Sequence, residues 1–282
     1  MTRREQAADE IRAAGAAAAV CDVFDREPLD AAVAAAAPEV VVHQLTALPA
    51  VFDFKDPNLY MATSRVRTEG TRNLLAAARA AGARRVVAQS ICFVYRPVGD
   101  WVKDERAPLI DDAPGTFGDA LKAVFDLERQ VLGADGIDGL VLRYGFFYGP
   151  GTAYAADGHW ASEARRRRLA IVGKGEGVTS FLHVDDAAAA TVAACERGEP
   201  GIYNVSDDDP ARMDKWVPAY AEAVGAKRPF RVPRWIARLI AGPAAAALAT
   251  ETRGASNTKA KRELGWQPRY PSWRQGFTEA LG

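Results

Sequence analysis

Residues 63–89 read TSRVRTEGTRNLLAAARAAGARRVVAQ, and this stretch decides the fold. Residues 63–81 are rich in helix formers, and the glycine at position 82 suits a helix C-terminus. Residues 85–89 are a short, largely apolar run of the kind that is buried in a parallel sheet. The stretch therefore predicts a helix followed closely by a buried strand.

The same alternation continues on both sides of this stretch. Apolar or β-branched runs predict strands over residues 16–23, 40–43 and 140–143, and helix-forming runs predict helices over residues 3–14, 29–37 and 118–132. Strands that alternate with helices are typical of a parallel sheet covered by helices on both faces. The sequence therefore predicts an α/β protein with a Rossmann-like, doubly wound parallel sheet.

The second half of the chain is less regular. Helices are predicted over residues 181–196 and 213–224, with a strand over residues 201–206 between them. We expect a sheet domain over residues 1–148 and a smaller lobe over residues 149–282, with residues 178–206 returning to the main sheet. The lobe is expected to cover the carboxyl ends of the strands, where such folds bind ligands.

Composition narrows the class of function. The 282 residues contain 36 Lys and Arg against 36 Asp and Glu, so no one-signed field is available for nucleic acid or a membrane surface. The three cysteines form no CxxC pair and the three histidines are scattered, which predicts neither a disulfide framework nor a metal site. We expect a cytoplasmic protein that acts on a small molecule.

A series of short motifs occurs in a fixed order along the chain. They are Asp22-Val23, Glu69-Gly70-Thr71-Arg72-Asn73-Leu74-Leu75, Val94-Tyr95, Leu142-Arg143-Tyr144, Tyr148-Gly149-Pro150-Gly151, Phe181-Leu182-His183-Val184-Asp185-Asp186 and Leu264-Gly265-Trp266-Gln267-Pro268. Together they resemble the extended short-chain dehydrogenase/reductase family, in its NAD-dependent epimerase/dehydratase group. The resemblance covers essentially the whole chain.

The resemblance implies NADP, or NAD, as the cofactor. It places the adenine at Asp22 and Val23, and a basic residue at Arg3 favours the phosphate of NADP. It also implies that Lys122 holds the nicotinamide ribose. The cofactor-binding residues that it implies are Arg3, Asp22, Val23, Leu45, Thr46, Ala47, Ser90, Lys122, Tyr144, Gly145 and Phe146.

The catalytic residues implied by the resemblance are mostly replaced. The family's Tyr-x-x-x-Lys, in which the lysine lowers the pKa of the proton-transferring phenol, aligns with Gly118 and Lys122. Ile91 stands where a serine or threonine is usual, and Arg67 stands where a helix asparagine is usual. The active site is therefore expected to be atypical.

We expect other residues of the sequence to take over from the missing catalytic groups. The predicted catalytic residues are Lys122, Ser90 and Tyr95, and the predicted substrate contacts are Tyr148 and His183. Histidine is a candidate because its unperturbed pKa lies near neutrality.

The family opens with a strand, a glycine-rich G-x-x-G-x-x-G turn, a helix and a second strand, and the motifs of this sequence begin after them. We expect that the sequence is short at its N-terminus and lacks this unit. The alternative is that the short form rearranges or takes the missing strands from a partner.

The expected function is an NAD(P)-dependent oxidoreductase or epimerase/dehydratase-like enzyme for a small oxygenated substrate, either sugar-nucleotide-like or a carbonyl compound. The alternative is a catalytically silent, NAD(P)-binding regulatory protein, because the catalytic tyrosine and serine are replaced. A homodimer through the helices at residues 63–81 and 118–132 is also expected.

Overall fold

The computed structural model describes residues 1–49, 51–54 and 56–281, so Gly282 of the predicted lobe lies outside the described residues. The helices are α1 Glu5–Ala13, α2 Arg26–Ala36, α3 Met61–Arg65, a π-helical segment Val66–Gly70, α4 Thr71–Ala80, α5 Gly115–Leu132, α6 His159–Arg165, α7 Val184–Glu196, α8 Met213–Ala223, α9 Arg234–Ala241, α10 Pro243–Glu251, α11 Thr258–Glu263 and α12 Trp273–Leu281. The strands are β1 Val40–His43, β2 Arg85–Ile91, β3 Val102–Lys103, β4 Asp138–Tyr144, β5 Phe146–Tyr148, β6 Ile171–Val172, β7 Val178–Thr179, β8 Phe181–His183, β9 Gly201–Val205, β10 Ala211–Arg212, β11 Arg231–Val232 and β12 Gly254–Ala255.

The main sheet is parallel and has the order β1-β2-β4-β9. Its side chains alternate between two cores because successive residues of a strand face opposite sides. Val86 and Val141 pack with residues of α4 and α5, whereas Val87 and Leu140 pack with residues of α7. The predicted α/β class with helices on both faces is confirmed.

The N-terminal strand is shorter than predicted. Over residues 16–23 only Val20 is paired, through one parallel bridge to Thr2. The bridge consists of hydrogen bonds from the Thr2 amide to the Ala19 carbonyl, at 3.0 Å, and from the Cys21 amide to the Thr2 carbonyl, at 2.9 Å. A strand extends only as far as it finds backbone partners. Within the described residues, β1 is an edge strand of the main sheet.

The helix predicted from residue 181 begins three residues later. Phe181–His183 instead forms β8, which pairs in parallel with β5. His183 is the N-cap of α7, and its Nδ1 accepts a hydrogen bond from the amide of Asp185 at 3.2 Å. A side-chain cap of this kind satisfies a free helix amide and fixes where the helix begins.

The C-terminal part has its own aromatic core. This core contains Tyr148, Phe181, Trp216, Tyr220, Trp273 and Phe277. Trp266 is buried too, and its indole nitrogen donates to the carbonyl of Asp186 at 3.1 Å. β9 pairs with β4, so residues 201–205 return to the main sheet. The division at residue 148 and the homodimer stay predictions.

Candidate functional site

Two of the predicted cofactor-binding segments follow strands of the main parallel sheet, and a third packs beside them. Residues 45–47 follow β1, and residues 144–146 end and follow β4. Because parallel strands end at one edge of the sheet, these two segments lie along its carboxyl edge, where α/β folds bind ligands. Val23 follows the isolated bridge at Val20 and shares a hydrophobic cluster with Val41 and Leu45, so it lies next to the segment after β1.

Arg3 and Asp22, two of the predicted cofactor-binding residues, lie together, and a side chain of α4 holds the backbone that follows Asp22. Arg3 Nη1 lies 3.8 Å from Asp22 Oδ2, which brings these two predicted residues together. Asp22 Oδ1 accepts from the amide of Phe24 at 3.0 Å, and Asn73 on α4 donates to the carbonyl of Val23 at 3.0 Å. Asn73 thus fixes the backbone of Val23, which the resemblance places beside the adenine.

The loop after β1 is anchored by a buried histidine. His43 Nδ1 accepts from the Leu45 amide at 3.4 Å, and its Nε2 lies 2.9 Å from the hydroxyl oxygen of Thr71. Ala47 donates its amide to Thr63 Oγ1 at 3.3 Å. Burial, with a smaller contribution from the positive charge of Arg67, lowers the pKa of His43 to about 4. The ring is therefore neutral near pH 7 and acts as a positioning residue for the loop.

The segment after β4 is rigid and largely apolar. The Tyr144 hydroxyl is hydrogen-bonded to Gln44 at 3.1 Å and Thr191 at 2.6 Å, and burial raises the pKa of Tyr144 to about 12. The half-buried Phe146 stacks on Phe93, with ring centroids 4.4 Å apart. Tyr144 is therefore a neutral, immobilised phenol, and Phe146 contributes an aromatic wall.

Ser90 and Tyr95 belong to one buried network. The Ser90 hydroxyl donates to Glu128 at 2.6 Å, and Arg143 donates twice to the same carboxylate, at 2.8 and 2.6 Å. The Tyr95 hydroxyl donates to Asn204 at 2.6 Å and accepts from Arg143 at 3.2 Å. Burial also raises the pKa of Tyr95. The structure brings these two predicted residues together in the interior, so their catalytic role stays a prediction.

The position of the missing tyrosine has no room for a side chain. A Cβ atom added at Gly118 would lie 1.8 Å from the carbonyl oxygen of Ala113. The backbone before α5 therefore occupies the space in which a residue-118 side chain would begin.

Lys122 lies on the exposed surface of α5. Its side chain is 74% exposed, and its Nζ lies 2.8 Å from Asp119. It lines a cavity of about 710 Å³ with Gly118, Ser64 and Thr68, between α5 and the helices that precede α4. None of the residues 22–23, 45–47 or 144–146 lines this cavity. The structure does not bring Lys122 to the other predicted cofactor residues, and its role at the ribose stays a prediction.

The predicted substrate contacts Tyr148 and His183 are core residues. Both are at most 3% exposed, and their ring centroids are 5.2 Å apart. His183 also stacks on Tyr270 at 4.1 Å. The structure brings the pair together inside the C-terminal core, and their contact with a substrate stays a prediction.

The sequence reasoning missed the apolar character of the site. Ile91 occupies the position of the usual hydroxyl residue, and the aromatic Phe93 follows two residues later. Both side chains are half-buried. An aromatic residue directly after a predicted strand was the available signal for Phe93.

The described part of the chain contains no group of three or more His, Cys, Asp or Glu side chains that could hold a metal ion. Within the same residues, none of the helices has the length and apolarity needed to cross a membrane.

A model of the NAD-dependent epimerase/dehydratase family matches residues 1–206. The chain belongs to this family. It is also 50% identical over 259 residues to a 3-diazoavenalumate denitrifying reductase from a Streptomyces species, with 92% of this chain and 84% of the relative covered. Membership of the NAD-dependent epimerase/dehydratase group, which the motifs resembled, is thereby confirmed.

Two solved structures of low identity share the fold. A UDP-glucose 4-epimerase from Thermus thermophilus, in complex with NAD, has a TM-score of 0.69 at 24% identity, covering 95% of this chain and 84% of the other. RMD from Pseudomonas aeruginosa, complexed with NADPH, has a TM-score of 0.67 at 22% identity, covering 93% and 86%. These similarities establish the epimerase/dehydratase architecture of the chain.

Proposed function

We propose that this chain is an NAD(P)H-dependent reductase that replaces the diazonium group, R–N₂⁺, of a small aromatic molecule with hydrogen. The relative with 50% identity is named as a denitrifying reductase of a diazo compound, and the alignment covers most of both chains. Family membership and the NAD or NADPH bound in structural neighbours support a nicotinamide cofactor.

The observation that carries the proposal is the absence of space for a proton donor at Gly118. The family's tyrosine moves a proton while hydride moves to or from a carbinol or carbonyl carbon. Here the Ala113 carbonyl lies on that position, and Ile91 replaces the hydroxyl residue. A reduction suited to this site is one that needs hydride without a proton.

Loss of nitrogen from a diazonium group satisfies this requirement. When bound, the nicotinamide cofactor supplies the hydride. The balanced reaction is R–N₂⁺ + NAD(P)H → R–H + N₂ + NAD(P)⁺. The bond from carbon to nitrogen breaks, a bond from carbon to hydrogen forms, and the nitrogen leaves as a neutral gas. No oxygen atom becomes charged, so no acid is required.

The residues of this chain would hold the cofactor along the carboxyl edge of the sheet. Asp22 and the backbone of Val23 would take the adenosine end, with Arg3 available to the phosphate of NADP. Residues 45–47 and 144–146 would border the remainder, as the resemblance implies. The side chain of Arg3 is 63% exposed beside Asp22, so it is free to turn to a phosphate, and this supports the proposal that NADPH is preferred to NADH.

The apolar wall formed by Phe146, Phe93 and Ile91 would also serve this reaction. Diazonium groups react with water, so a site that handles them benefits when water is excluded. Phe146 stacked on Phe93, next to Ile91, presents aromatic and aliphatic carbon rather than hydrogen-bonding groups. These side chains would orient a planar substrate and keep water from its reacting carbon. The lobe over residues 149–282 is proposed to cover this surface.

The test uses the full chain, an arenediazonium salt and NADPH that carries deuterium at the transferable position. We expect protein-dependent cofactor oxidation and an arene that contains the deuterium. In a parallel reaction in D₂O with unlabelled NADPH, the arene should contain no deuterium. Oxidation no faster than in a protein-free control, or solvent deuterium in the product, would contradict the proposal.

The same assay separates the second candidate, a catalytically silent NAD(P)-binding regulator. Occlusion of position 118 and the exposed position of Lys122, which is paired with Asp119, favour that candidate. It predicts NADPH binding by calorimetry without oxidation by diazonium, aldehyde or ketone substrates. The reductase predicts turnover with the diazonium probe and none with the carbonyl compounds, because a carbonyl oxygen needs the missing acid.

A further inference from the structure

We propose that Arg67 binds an oxyanion, a carboxylate or phosphate oxygen, at the carboxyl end of β1. If the oxyanion belongs to the substrate, this inference rests on the function proposed above. If it belongs to the cofactor, the inference rests only on the binding of a nicotinamide cofactor.

Arg67 is a buried cation for which the protein supplies no counter-charge. It lies on the π-helical segment and is 7% exposed. Among residues 1–49, 51–54 and 56–281, no hydrogen bond or ion pair to its guanidinium is found, and its nitrogen atoms do not belong to the fully buried unpaired atoms, so they keep some contact with solvent. Burial of an unpaired charge is costly, and buried charges are normally paired. The unmet charge therefore points to a ligand.

The other buried arginines of the described chain all have hydrogen-bond partners. Arg143 donates twice to the buried carboxylate of Glu128. Arg85 donates to three backbone carbonyls at the end of α7, those of Ala194, Arg197 and Gly198. Arg253 donates to the carbonyl of Glu251 at 3.1 Å and lies over the ring of Trp101, although the Nε atoms of Arg85 and Arg253 have no partner. Arg67 differs from these three in having no hydrogen-bond partner within the described residues.

The groups around Arg67 do not neutralise it. Its electrostatic neighbours are His43, at the end of β1, and Tyr60, in the loop before α3. The low pKa of His43 makes the imidazole neutral near pH 7, and burial raises the pKa of the Tyr60 phenol, which is therefore also neutral. Arg67 is thus a net positive charge enclosed by neutral rings.

The location suits a ligand that shares the predicted cofactor edge. The backbone that follows His43 continues into Leu45, Thr46 and Ala47, and the loop is tied to the same helical region through Thr63 and Thr71. The π-helical turn is a rare geometry that is frequent at functional sites. A guanidinium at this point can grip a carboxylate or a phosphate with two parallel hydrogen bonds.

The test measures anion binding without turnover, so it is independent of diazo reduction. Calorimetry and thermal shift would be run with benzoate, methyl benzoate, inorganic phosphate and NADPH on the full chain. The variants are Arg67→Met and Arg67→Gln, and the matched control is Arg65→Met. Arg65 is two residues earlier, more than half exposed and paired with Glu69.

If a substrate carboxylate is the ligand, benzoate should bind and methyl benzoate should not. The Arg67 variants should then weaken benzoate binding by about tenfold or more, with NADPH affinity kept. If a cofactor phosphate is the ligand, the same variants should weaken NADPH by a similar factor and benzoate should have no effect. Either result supports the site and identifies its source.

The ligand-free proteins give a further readout. Removal of an unpaired buried charge should raise the melting temperature of Arg67→Met above that of Arg65→Met. The proposal is overturned if all four ligands bind the Arg67 variants as they bind Arg65→Met. It is also overturned if both Arg67 variants melt well below the control without ligand, because Arg67 would then serve the fold.

Discussion

Acidification should destabilise this protein through His43 before most carboxylates titrate. The imidazole is 1% exposed, and burial lowers its pKa from 6.5 to about 4. In the unfolded chain the same ring takes up a proton near pH 6.5. Between these two pKa values the unfolded state binds a proton that the folded state excludes, so stability is present above pH 6.5 and is lost as the pH falls.

The size of the effect follows from the gap between the two pKa values. Each unit of pKa difference corresponds to about 1.4 kcal/mol. Between pH 7 and pH 5 the folded ring stays mostly neutral while the unfolded ring becomes charged. His43 should therefore remove about 2 kcal/mol from the free energy of unfolding over this interval.

Urea denaturation at pH 7 and pH 5 would be compared for the wild type and His43→Gln. Groups common to both proteins cancel in the comparison, so the wild type should lose about 2 kcal/mol more than the variant. An NMR titration of the ring should give a midpoint far below 6.5. Equal losses in the two proteins, or a ring that titrates near 6.5, would refute the assignment of His43 as a neutral anchor.

Three further substitutions test the site. Gly118→Ala should destabilise by about 1–3 kcal/mol in urea because of the Ala113 carbonyl. The comparison variant Gly70→Ala meets only valine methyls, two of Val23 at 3.1 and 3.6 Å and one of Val66 at 3.6 Å, and should lose less stability because side chains can shift and alanine favours the helix. Glu128→Leu should cost about 3–5 kcal/mol by leaving Arg143 unpaired, and a stable variant would contradict the network. Arg3→Ala should raise the dissociation constant of NADPH about tenfold and leave that of NADH unchanged, and equal effects would contradict the NADPH preference.

The strands that were predicted correctly are those that find a backbone partner in the main sheet. Val40–His43 and residues 85–89 are short apolar runs, and they pair with each other in the main sheet even though Val42 of the edge strand is exposed. Residues 16–23 show a similar apolar run, yet only Val20 is bridged. The difference is backbone pairing, because a strand depends on a neighbour that its own composition does not encode.

The helix predicted over residues 63–81 is present, but its interior is not uniform. Val66–Gly70 is π-helical between α3 and α4. Helix propensity describes single residues and is insensitive to one residue inserted into a turn. The consequence concerns the candidate site directly, since Arg67 lies on that turn.

The candidate site was predictable where it depends on topology and unpredictable where it depends on packing. Order along the chain is enough to place residues 45–47 and 144–146 at one edge, because parallel strands end together. The hydrogen bond between Ser90 and Glu128 joins β2 to α5 across 38 residues, and no local sequence pattern predicts it. A serine beside the expected position therefore suggested a hydroxyl for catalysis, whereas the structure uses that hydroxyl inside the core.

The replacements at positions 67, 91 and 118 are consistent with one change of chemistry. Each removes a polar group that serves proton transfer in the family pattern, and two of them leave an apolar or occluded surface. The third introduces a buried cation. The proposed hydride transfer without an acid favours a substrate whose leaving group departs neutral, and the proposed anion site at Arg67 favours a substrate that also carries an anionic oxygen. A carboxylate that carries a diazonium group would meet both conditions, so under these proposals anion binding and nitrogen release should depend on different residues and be separable by mutation.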